Sequence, residues 1–400
     1  MSLSRYEMIF DADPSELDRF AENAERGSLL QESLWAKVKD NWDHAYILCR
    51  KDGIPAASAM VLMRKLAGPW KLFYIPRGPL LDYSDHELVR YFFAELKSGA
   101  KKNGAVTVRF DPLIVHDVRE SKDDPTDTQA PDEVTEFLKT LGIKHHGYNL
   151  DMYAAMQPRT QAVVYFADEK PMGKKLRYYL KHAKSKGVEI VRMKTDGVDR
   201  FAELEEKTAD RKGISLRNGE YFRKLTEVYG ENANISLGFL NVKESLAKET
   251  SVKEQLEKQL EDPKYTEKKR FEIGERLSSV SKNVERLAEI HEKHGDTIWI
   301  SGALIVRSGS YAELMYAGMD EEFEFYRSNA TFQDAIDWAK ENGCRYCNLG
   351  GVEGTLDDSL TMFKDLYGPR FESYIGEFDM PVRKVLAKGF DTALKIYKKI

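Results

Sequence analysis

Apolar positions along the chain recur with two periods, and these periods predict an α/β protein. Short apolar runs such as Ala45–Arg50 and Ala57–Met63 have the length of strands, whereas His86–Asn103 repeats apolar residues every three to four positions, as a helix does. The same succession of helices, strands, a helix and a further strand occurs before residue 153 and again after residue 160. The pattern therefore predicts a duplicated α/β unit.

The remaining elements follow from the same periods and from the turn residues between them. The further predicted strands are Lys71–Ile75, Ala105–Phe110, Thr160–Tyr165, Val188–Met193, Ala233–Leu240, Thr297–Arg307, Tyr311–Ala317, Tyr346–Leu349 and a last strand near Tyr374–Phe378. The further predicted helices are Ser15–Glu25, Leu34–Lys39, Asp132–Leu141, Gly173–Lys186, Val198–Lys212, Asn218–Tyr229 and Asn329–Asn342. The sequence contains neither a dinucleotide-binding glycine fingerprint nor a phosphate-binding loop motif.

A heptad pattern interrupts the second unit. Apolar residues there alternate in steps of four and three, as in a coiled coil, and Asp262-Pro263 breaks the pattern into two helices of about 20 and 27 residues. This alternation is carried by Ile273, Leu277, Val280, Val284 and Leu287, whereas the preceding half has Val242, Leu246, Leu256 and Leu260 in a compatible frame with polar interruptions. We expect an antiparallel helical arm inserted into a globular domain, unless the segment is a spacer that touches no substrate.

These patterns divide the chain into four parts. Residues 1–153 are predicted to form one subdomain, residues 154–241 and 297–380 a second, residues 242–296 the arm, and residues 381–400 a basic amphipathic helix. That last helix either lies on an anionic membrane or docks on its own domain.

Composition narrows the class of protein. Of the 400 residues, 42% are hydrophobic and 32% are charged, and no apolar run is long enough to span a bilayer, which excludes an integral membrane protein. Three cysteines cannot form a disulfide framework, so with no recognisable export signal the sequence predicts a reducing, cytoplasmic location. Cys344 and Cys347 have C-x-x-C spacing but lack further ligands for zinc, and no metal is predicted.

Positive charge is concentrated in one segment, although the net charge of the chain is −5. Between Lys170 and Lys194 there are nine basic residues, and only Glu189 opposes them. This imbalance favours a phosphate-binding surface over a merely exposed basic face. Tyr178 and Tyr179 in this segment either stack on bases or are buried.

Several segments, in order along the chain, resemble the Fem-type tRNA-dependent peptidoglycan aminoacyltransferases. The most specific is Leu360–Pro369 followed by Tyr374–Asp379, shortly after a glycine-rich strand end at Leu349–Gly354. The other similar segments are Gln31–Lys37, Tyr74–Pro79, Arg109–Pro112, Thr208–Tyr221 and Tyr316–Asp320. The resemblance runs from about residue 6 to residue 382 and is closest to the branch that adds alanine or serine.

The resemblance implies both a fold and an activity. The fold is α/β (α+β), with two acetyltransferase-like subdomains and an inserted antiparallel coiled-coil arm. The activity is transfer of an amino acid (alanine, serine or glycine) from aminoacyl-tRNA, the co-substrate, to the side-chain amine of the third stem-peptide residue of the peptidoglycan precursor, which starts the interpeptide bridge. That acceptor is either lipid-linked (lipid II) or nucleotide-linked, no cofactor is expected, and peripheral contact with the inner face of the membrane is expected.

The resemblance also implies site residues. Lys364 and Asp111 are the expected catalytic residues, and the expected precursor-binding residues are Lys37, Arg217, Tyr221, Tyr316 and Phe363. The basic segment supplies the expected tRNA-binding residues Lys174, Lys175, Arg177, Lys181, Lys184 and Lys186. Because an aminoacyl ester is already activated, we expect Lys364 to meet developing negative charge or the tRNA end. Asp111 would accept the proton of the amine, unless the leaving ribose oxygen takes it.

Two other interpretations remain open at this stage. An acyl-CoA-dependent N-acyltransferase on the same fold would want a glycine-rich pyrophosphate loop that opens a helix, and the sequence has no convincing one. A non-catalytic scaffold that binds tRNA or a membrane would use the basic segment and the arm. It would leave the Phe363-Lys364 pair without a function.

Overall fold

The computed structural model describes residues 5–125, 131–168, 170–212 and 217–389, without the side chains of residues 211 and 212. Numbered along the chain, the strands are β1 (Tyr6–Ile9), β2 (Asp43–Lys51), β3 (Ile54–Lys65), β4 (Lys71–Ile75), β5 (Leu80–Leu81), β6 (Ala105–Phe110), β7 (Val115–Arg119), β8 (Lys144–His145), β9 (Thr160–Tyr165), β10 (Glu189–Met193), β11 (Ala233–Asn241), β12 (Thr297–Ser308), β13 (Tyr311–Met319), β14 (Tyr346–Val352), β15 (Arg370–Tyr374) and β16 (Phe378–Pro381). The α-helices are α1 (Pro14–Glu22), α2 (Ser33–Val38), α3 (His86–Lys102), α4 (Glu133–Thr140), α5 (Lys174–Ser185), α6 (Val198–Lys212), α7 (Gly219–Tyr229), α8 (Val242–Glu261), α9 (Glu267–His294), α10 (Asn329–Glu341) and α11 (Ser359–Asp365).

The strands form two mixed sheets of the same design. The first has the order β1-β2-β3-β4-β6-β16-β8, with β5 beside β3, and the second has the order β10-β11-β12-β13-β14-β9-β15-β7. In each sheet an antiparallel meander ends in one parallel pair, β4 with β6 and β13 with β14, and a helix, α3 or α10, joins that pair. The predicted duplication of one α/β unit is therefore confirmed.

Two strands lie in the sheet of the other half of the chain. β7 pairs with β15 in the second sheet, and β16 pairs with β6 in the first, so the two predicted subdomains exchange strands across their proposed boundaries. The predicted single strand near Tyr374–Phe378 is wrong, because β15 ends at Tyr374 and β16 begins at Phe378. Between them Gly376 has a φ of 97°, which favours glycine and lets the chain turn from one sheet to the other.

The helical arm replaces a tight turn between two strands. Asn241 at the end of β11 pairs with Thr297 at the start of β12, and α8 and α9 fill the connection with 20 and 28 residues, close to the predicted lengths. Leu256, Ile273 and Val280 form a buried seam between the two helices. At the root of the arm the seam continues into a cluster with Leu287, Ile298, Phe323 and their neighbours. The predicted antiparallel arm is confirmed.

A shared core joins the two halves and brings helices α2 and α7 together. Leu17, Trp35 and Met60 from the first half pack with Phe201 and Phe222 from the second. This cluster sets α2 against α7. Side chains from these two helices therefore meet although about 180 residues separate them in sequence.

The carboxyl-terminal region is described only in part. Residues 384–389 are helical, and the rest of the predicted amphipathic helix, from Phe390 to Ile400, lies outside the described residues. Among the helices that are described, none combines the length and the apolar character needed to cross a bilayer.

Candidate functional site

The carboxyl ends of the two parallel strand pairs have different structures. β4 and β6 pair up to their last residues, Ile75 and Phe110. β13 and β14 pair only at Tyr311–Glu313 with Tyr346–Asn348, within the described chain, although they continue to Met319 and Val352. The first end is therefore closed by hydrogen bonds, whereas the second end is open. Of the expected site residues, Tyr316 lies on β13 beyond its last pair with β14, and Lys364 contacts Gly351 on β14 beyond the same pair.

Aromatic and basic side chains from both halves meet beside the open end. Tyr221 on α7 accepts a hydrogen bond from Lys39 Nζ at 3.3 Å and another from the Tyr316 hydroxyl at 3.3 Å. Lys39 Nζ lies 4.7 Å from the Trp35 ring centroid, and the Arg217 guanidinium lies 5.2 Å from that of Tyr221. We call these five residues the anion cluster. The structure thus brings together three of the five expected precursor-binding residues.

The charges of the anion cluster suit a negatively charged ligand. Partial burial, and secondarily the nearby Arg217, lower the pKa of Lys39 to about 8. Within the described residues neither Lys39 nor Arg217 has a carboxylate within 4 Å, and the contacts of both are with aromatic rings or a hydroxyl. Two cations held together without a counter-charge gain most from a diphosphate or a carboxylate.

Lys39, and not the predicted Lys37, supplies the ammonium of the anion cluster. Lys37 is exposed on α2, whereas Lys39 follows Trp35 by four positions and reaches the same face of the helix. Sequence reasoning missed Lys39, and this spacing of four from Trp35 is the signal that could have identified it. The binding role predicted for Lys37 stays a prediction.

Lys364 is held at the glycine-rich end of β14. It lies on the short helix α11, whose first turn is capped by the Asp358 carboxylate. Its Nζ donates to the Gly351 carbonyl at 2.8 Å, and its side chain is buried, with 6% of the residue exposed. Gly350 has a φ of 86°, and a Cβ atom there would lie 3.4 Å from Lys364 Nζ. The geometry therefore fixes an ammonium at the backbone of the open strand end.

Phe363 packs into the protein. Its ring makes edge contacts with Phe332 at 5.1 Å and with Tyr367 at 5.6 Å between centroids. These contacts hold α11 against α10 and thereby fix the position of Lys364. A direct contact between Phe363 and substrate stays a prediction.

Asp111 lies at the closed end, beyond the pairing of β4 with β6. Its Oδ1 accepts hydrogen bonds from the Arg77 amide at 2.9 Å and from the Tyr74 hydroxyl at 3.2 Å, and only 3% of the residue is exposed. Burial raises the pKa of Asp111 to about 7, and the Arg77 guanidinium, with Nη1 3.5 Å from Oδ2, partly opposes the rise. The structure does not bring Asp111 into the anion cluster or into contact with Lys364.

A chain segment covers the glycine-rich end of β14. A Cβ atom on Gly351 would lie 2.3 Å from Pro158, and one on Gly354 would lie 2.7 Å from Leu150. The loop that precedes β9 therefore fills the space that side chains at these two positions would occupy. Arg77 Nη2 donates to the Pro158 carbonyl at 2.9 Å, which links this loop to the closed end.

Helix α5 carries most of the expected tRNA-binding residues on its surface. Exposed side chains there are Lys174, Lys175, Arg177, Tyr178, Lys181 and Lys184. Lys186 differs, since its Nζ donates to Asn283 of the arm at 3.2 Å and lies 5.3 Å from the Phe325 ring. The expected phosphate contact of Lys186 therefore competes with a role in anchoring the arm. Within the described residues no group of three or more potential metal ligands occurs.

Comparison with known proteins gives consistent results over nearly the whole chain. The model of the FemAB family matches residues 13–395. The lipid II:glycine glycyltransferase of Staphylococcus aureus strain USA300 is 27% identical over 399 residues, covering 93% of this chain and 92% of that protein. The protein of the same name from Staphylococcus aureus strain RF122 is 28% identical over 401 residues, with the same coverage.

A solved structure gives the same result for the fold. The crystal structure of FemX superposes with a TM-score of 0.76 at 25% identity and covers 96% of this chain and 99% of its own. The predicted fold class, two acetyltransferase-like units with an inserted helical arm, is confirmed.

Proposed function

The chain belongs to the FemAB family, and on that premise we propose that it transfers an amino acid from aminoacyl-tRNA to a side-chain amine of a peptidoglycan precursor. Its relatives are named as transferases that act on lipid II, which supports both the enzyme class and the acceptor. Those relatives carry glycine in their names, whereas the sequence resemblance favoured alanine or serine. The acceptor amine we propose is that of the third stem residue.

The observation that carries this proposal is the cation pair of Lys39 and Arg217 in the anion cluster. The peptidoglycan precursor has a diphosphate and a stem peptide with carboxylates, and an arginine binds such groups with two parallel hydrogen bonds. Tyr221 and Tyr316 line the same site with a linked pair of hydroxyl groups. We assign the cluster to the precursor and the nearby open strand end to the reaction.

The transfer itself needs position and charge stabilisation more than a protein nucleophile. The acceptor nitrogen forms a bond to the carbonyl carbon of the ester, the bond to the ribose oxygen breaks, and that oxygen leaves with a proton. An ammonium such as that of Lys364 stabilises the negative charge that develops on the way. Because this ester is already activated, the chemistry requires no covalent intermediate on the protein.

The proton of the acceptor amine goes either to a carboxylate or to the leaving oxygen. The role of general base predicted for Asp111 stays a prediction. The enclosed position of its carboxylate, which Tyr74 and Arg77 hold, favours a structural role instead. The leaving ribose oxygen can take the proton without any help from Asp111.

We assign the tRNA to the exposed basic face of α5. Neutralising Arg177, Lys181 and Lys184 together should weaken tRNA binding and reduce its dependence on salt, by roughly one unit of log–log slope for each phosphate that is no longer bound. Binding measured between low and moderate salt tests this directly. An unchanged slope would remove α5 from the tRNA site. We place the reaction at the cytoplasmic face of the membrane, where charged tRNA meets a lipid-linked precursor.

One assay separates this function from the alternatives. Purified protein is incubated with a precursor that has lysine at its third stem position and with tRNA charged with alanine, serine or glycine, each in turn. We expect the precursor to gain the mass of one amino acid, and no gain when its lysine amine is acetylated. Gain of an acyl group from acyl-CoA alone would favour the acyltransferase, and no product with any donor would favour the scaffold.

A further inference from the structure

A basic and aliphatic surface lies where three segments of the first half meet. The turn between β3 and β4, the end of α3 and the start of the carboxyl-terminal helix converge on Arg383. The Arg383 guanidinium lies 4.6 Å from the Trp70 ring centroid, and its Nη2 donates to the Lys101 carbonyl at 3.1 Å. We call this surface the carboxyl-terminal patch. It comprises Lys65, Trp70, Lys101, Lys102, Lys384 and Val385.

The charge of the carboxyl-terminal patch has one sign. Residues 64–70, 101–104 and 383–389 contain seven lysines and arginines and no aspartate or glutamate. Lys65, Lys101, Lys102 and Lys384 are exposed, and within the described residues none of these four has a carboxylate within 4 Å. Asp43 is the nearby acid whose charge acts on Lys65, and its own carboxylate is occupied by Lys71 at 3.0 Å. Within the described residues, these four ammonium groups are therefore not paired with a carboxylate.

The exposed apolar groups of the patch are aliphatic. Val385 is 85% exposed and the adjacent Leu386 is 37% exposed. Two indoles lie nearby, and both are half-buried: that of Trp70 beside the Arg383 guanidinium, and that of Trp42 with its ring centroid 5.7 Å from the Arg64 guanidinium. A surface that binds single-stranded RNA presents planar rings on which bases stack, as the 62%-exposed Tyr178 does on α5. Lysines around exposed aliphatic side chains suit the headgroup region of a bilayer, where ammonium groups meet lipid phosphates and apolar groups enter the acyl boundary.

We propose that the carboxyl-terminal patch docks this protein on a bilayer surface that contains anionic phospholipid. The patch lies on the first half, apart from the α5 surface on the second, so a bound tRNA and a membrane need not compete for the same lysines. Beyond residue 389 the sequence contains Lys395, Lys398 and Lys399 and a single acid, Asp391. The proposal rests on the proposed function only in that a lipid-linked acceptor requires the enzyme at a membrane.

The test measures vesicle binding and transfer separately. Full-length protein with Lys65, Lys101, Lys102 and Lys384 all changed to glutamine is sedimented with phosphatidylcholine vesicles, with and without phosphatidylglycerol. We expect at least about a tenfold loss of binding to the anionic vesicles relative to the unchanged protein. The matched control changes four exposed lysines of the arm, Lys248, Lys258, Lys268 and Lys282, and should keep its vesicle binding.

Two further measurements, of vesicle binding by a second variant and of transfer to two kinds of acceptor, can also contradict the proposal. Val385→Ser, which should fold even if the quadruple variant does not, should lower binding to anionic vesicles by about threefold. Transfer to the soluble nucleotide-linked precursor should be unchanged in both variants, while transfer to a vesicle-embedded acceptor should fall. Unchanged vesicle binding overturns the proposal, as does a loss of tRNA binding with vesicle binding intact. Absence of transfer by the unchanged protein would refute the proposed function and leave the vesicle result to be judged by itself.

Discussion

The closed end of the β4/β6 pair and the open end of the β13/β14 pair occupy equivalent positions in the two halves. They differ in strand pairing and in the side chains that they hold. At the closed end, β4 and β6 pair up to their last residues, and the Asp111 carboxylate accepts hydrogen bonds from the Tyr74 hydroxyl and the Arg77 amide. At the open end, pairing stops early, Gly350 leaves space, and a lysine from α11 reaches the backbone. The two halves therefore share a fold but not the arrangement of side chains at these strand ends.

The same contrast is visible in the hairpins that precede these pairs. β2 and β3 are joined by Asp52 and Gly53, both with positive φ, in a two-residue turn. The equivalent connection between β11 and β12 contains the whole helical arm. The hairpin of the first half therefore has a compact connection, whereas the equivalent connection of the second half contains the arm, and the glycine-rich strand end and the basic helix α5 also lie in the second half. We accordingly expect substitutions at the open end to affect transfer and those at the closed end to affect stability.

The largest expected effect is that of Lys364→Met. Methionine keeps the apolar stem of the side chain but removes the ammonium that contacts the Gly351 carbonyl. Loss of a preorganised electrostatic contact typically lowers turnover by about 10² to 10³. Steady-state transfer should fall by that factor, while thermal unfolding and precursor binding remain near normal. Near-normal transfer by a folded variant would remove Lys364 from the catalytic machinery, whereas loss of folding would assign it to the structure.

At the closed end, Asp111→Asn should change how stability depends on pH. The pKa of Asp111 in the folded protein, about 7, is above the value of about 3.9 expected after unfolding. The folded state therefore holds a proton that the unfolded state has lost, and the free energy of unfolding falls as pH rises between these two values.

The asparagine variant should lack this part of the pH dependence. Relative to the unchanged protein it should gain stability between about pH 4 and pH 7, by up to about 4 kcal/mol, and the difference should be constant at higher pH. Urea unfolding of both proteins over that range measures the difference. A difference that does not vary with pH would contradict the buried, proton-holding carboxylate that distinguishes this end.

Lys39→Ala and Lys37→Ala test which of these two lysines binds the precursor. The first removes the ammonium of the anion cluster, and the second removes an exposed lysine from the same helix. Charge-assisted hydrogen bonds contribute about 1.5–3 kcal/mol, so Lys39→Ala should raise KM for the precursor by roughly 10- to 100-fold. Lys37→Ala should leave it nearly unchanged. The reverse order would restore the sequence-based assignment of Lys37.

The parts of the fold that could be predicted from the sequence are those that depend on local periodicity. The apolar positions of the arm repeat regularly over α9 and with interruptions over α8, and the structure buries or partly buries them as the pattern indicates. The exchange of β7 and β16 could not be predicted, because a short strand such as β16 carries no information about which of two sheets accepts its edge. That choice depends on tertiary contacts, including the ion pair of Arg109 with Asp379 at 2.8 Å.

The site was predictable to a similar degree. Arg217, Tyr221 and Tyr316 were expected together because their segments resemble one family, and the structure brings them together. Lys39 lies outside the segment that resembles the family, Gln31–Lys37, and only its spacing of four from Trp35 on a helix indicates that both side chains share a face. The enclosure of Asp111 and the use of Lys186 by the arm depend on contacts between distant segments, which no local pattern records.

The most direct test of the central claim compares the two ends in one experiment. Protein saturated with a precursor that has lysine at the third stem position is mixed with a limiting amount of aminoacyl-tRNA, and the rate of a single turnover is measured. We expect Lys364→Met to be slower than the unchanged protein by at least about 100-fold, and Asp111→Asn to remain within about tenfold of it. A slow Asp111→Asn beside a nearly normal Lys364→Met would contradict the account, because the reaction would then depend on the closed end.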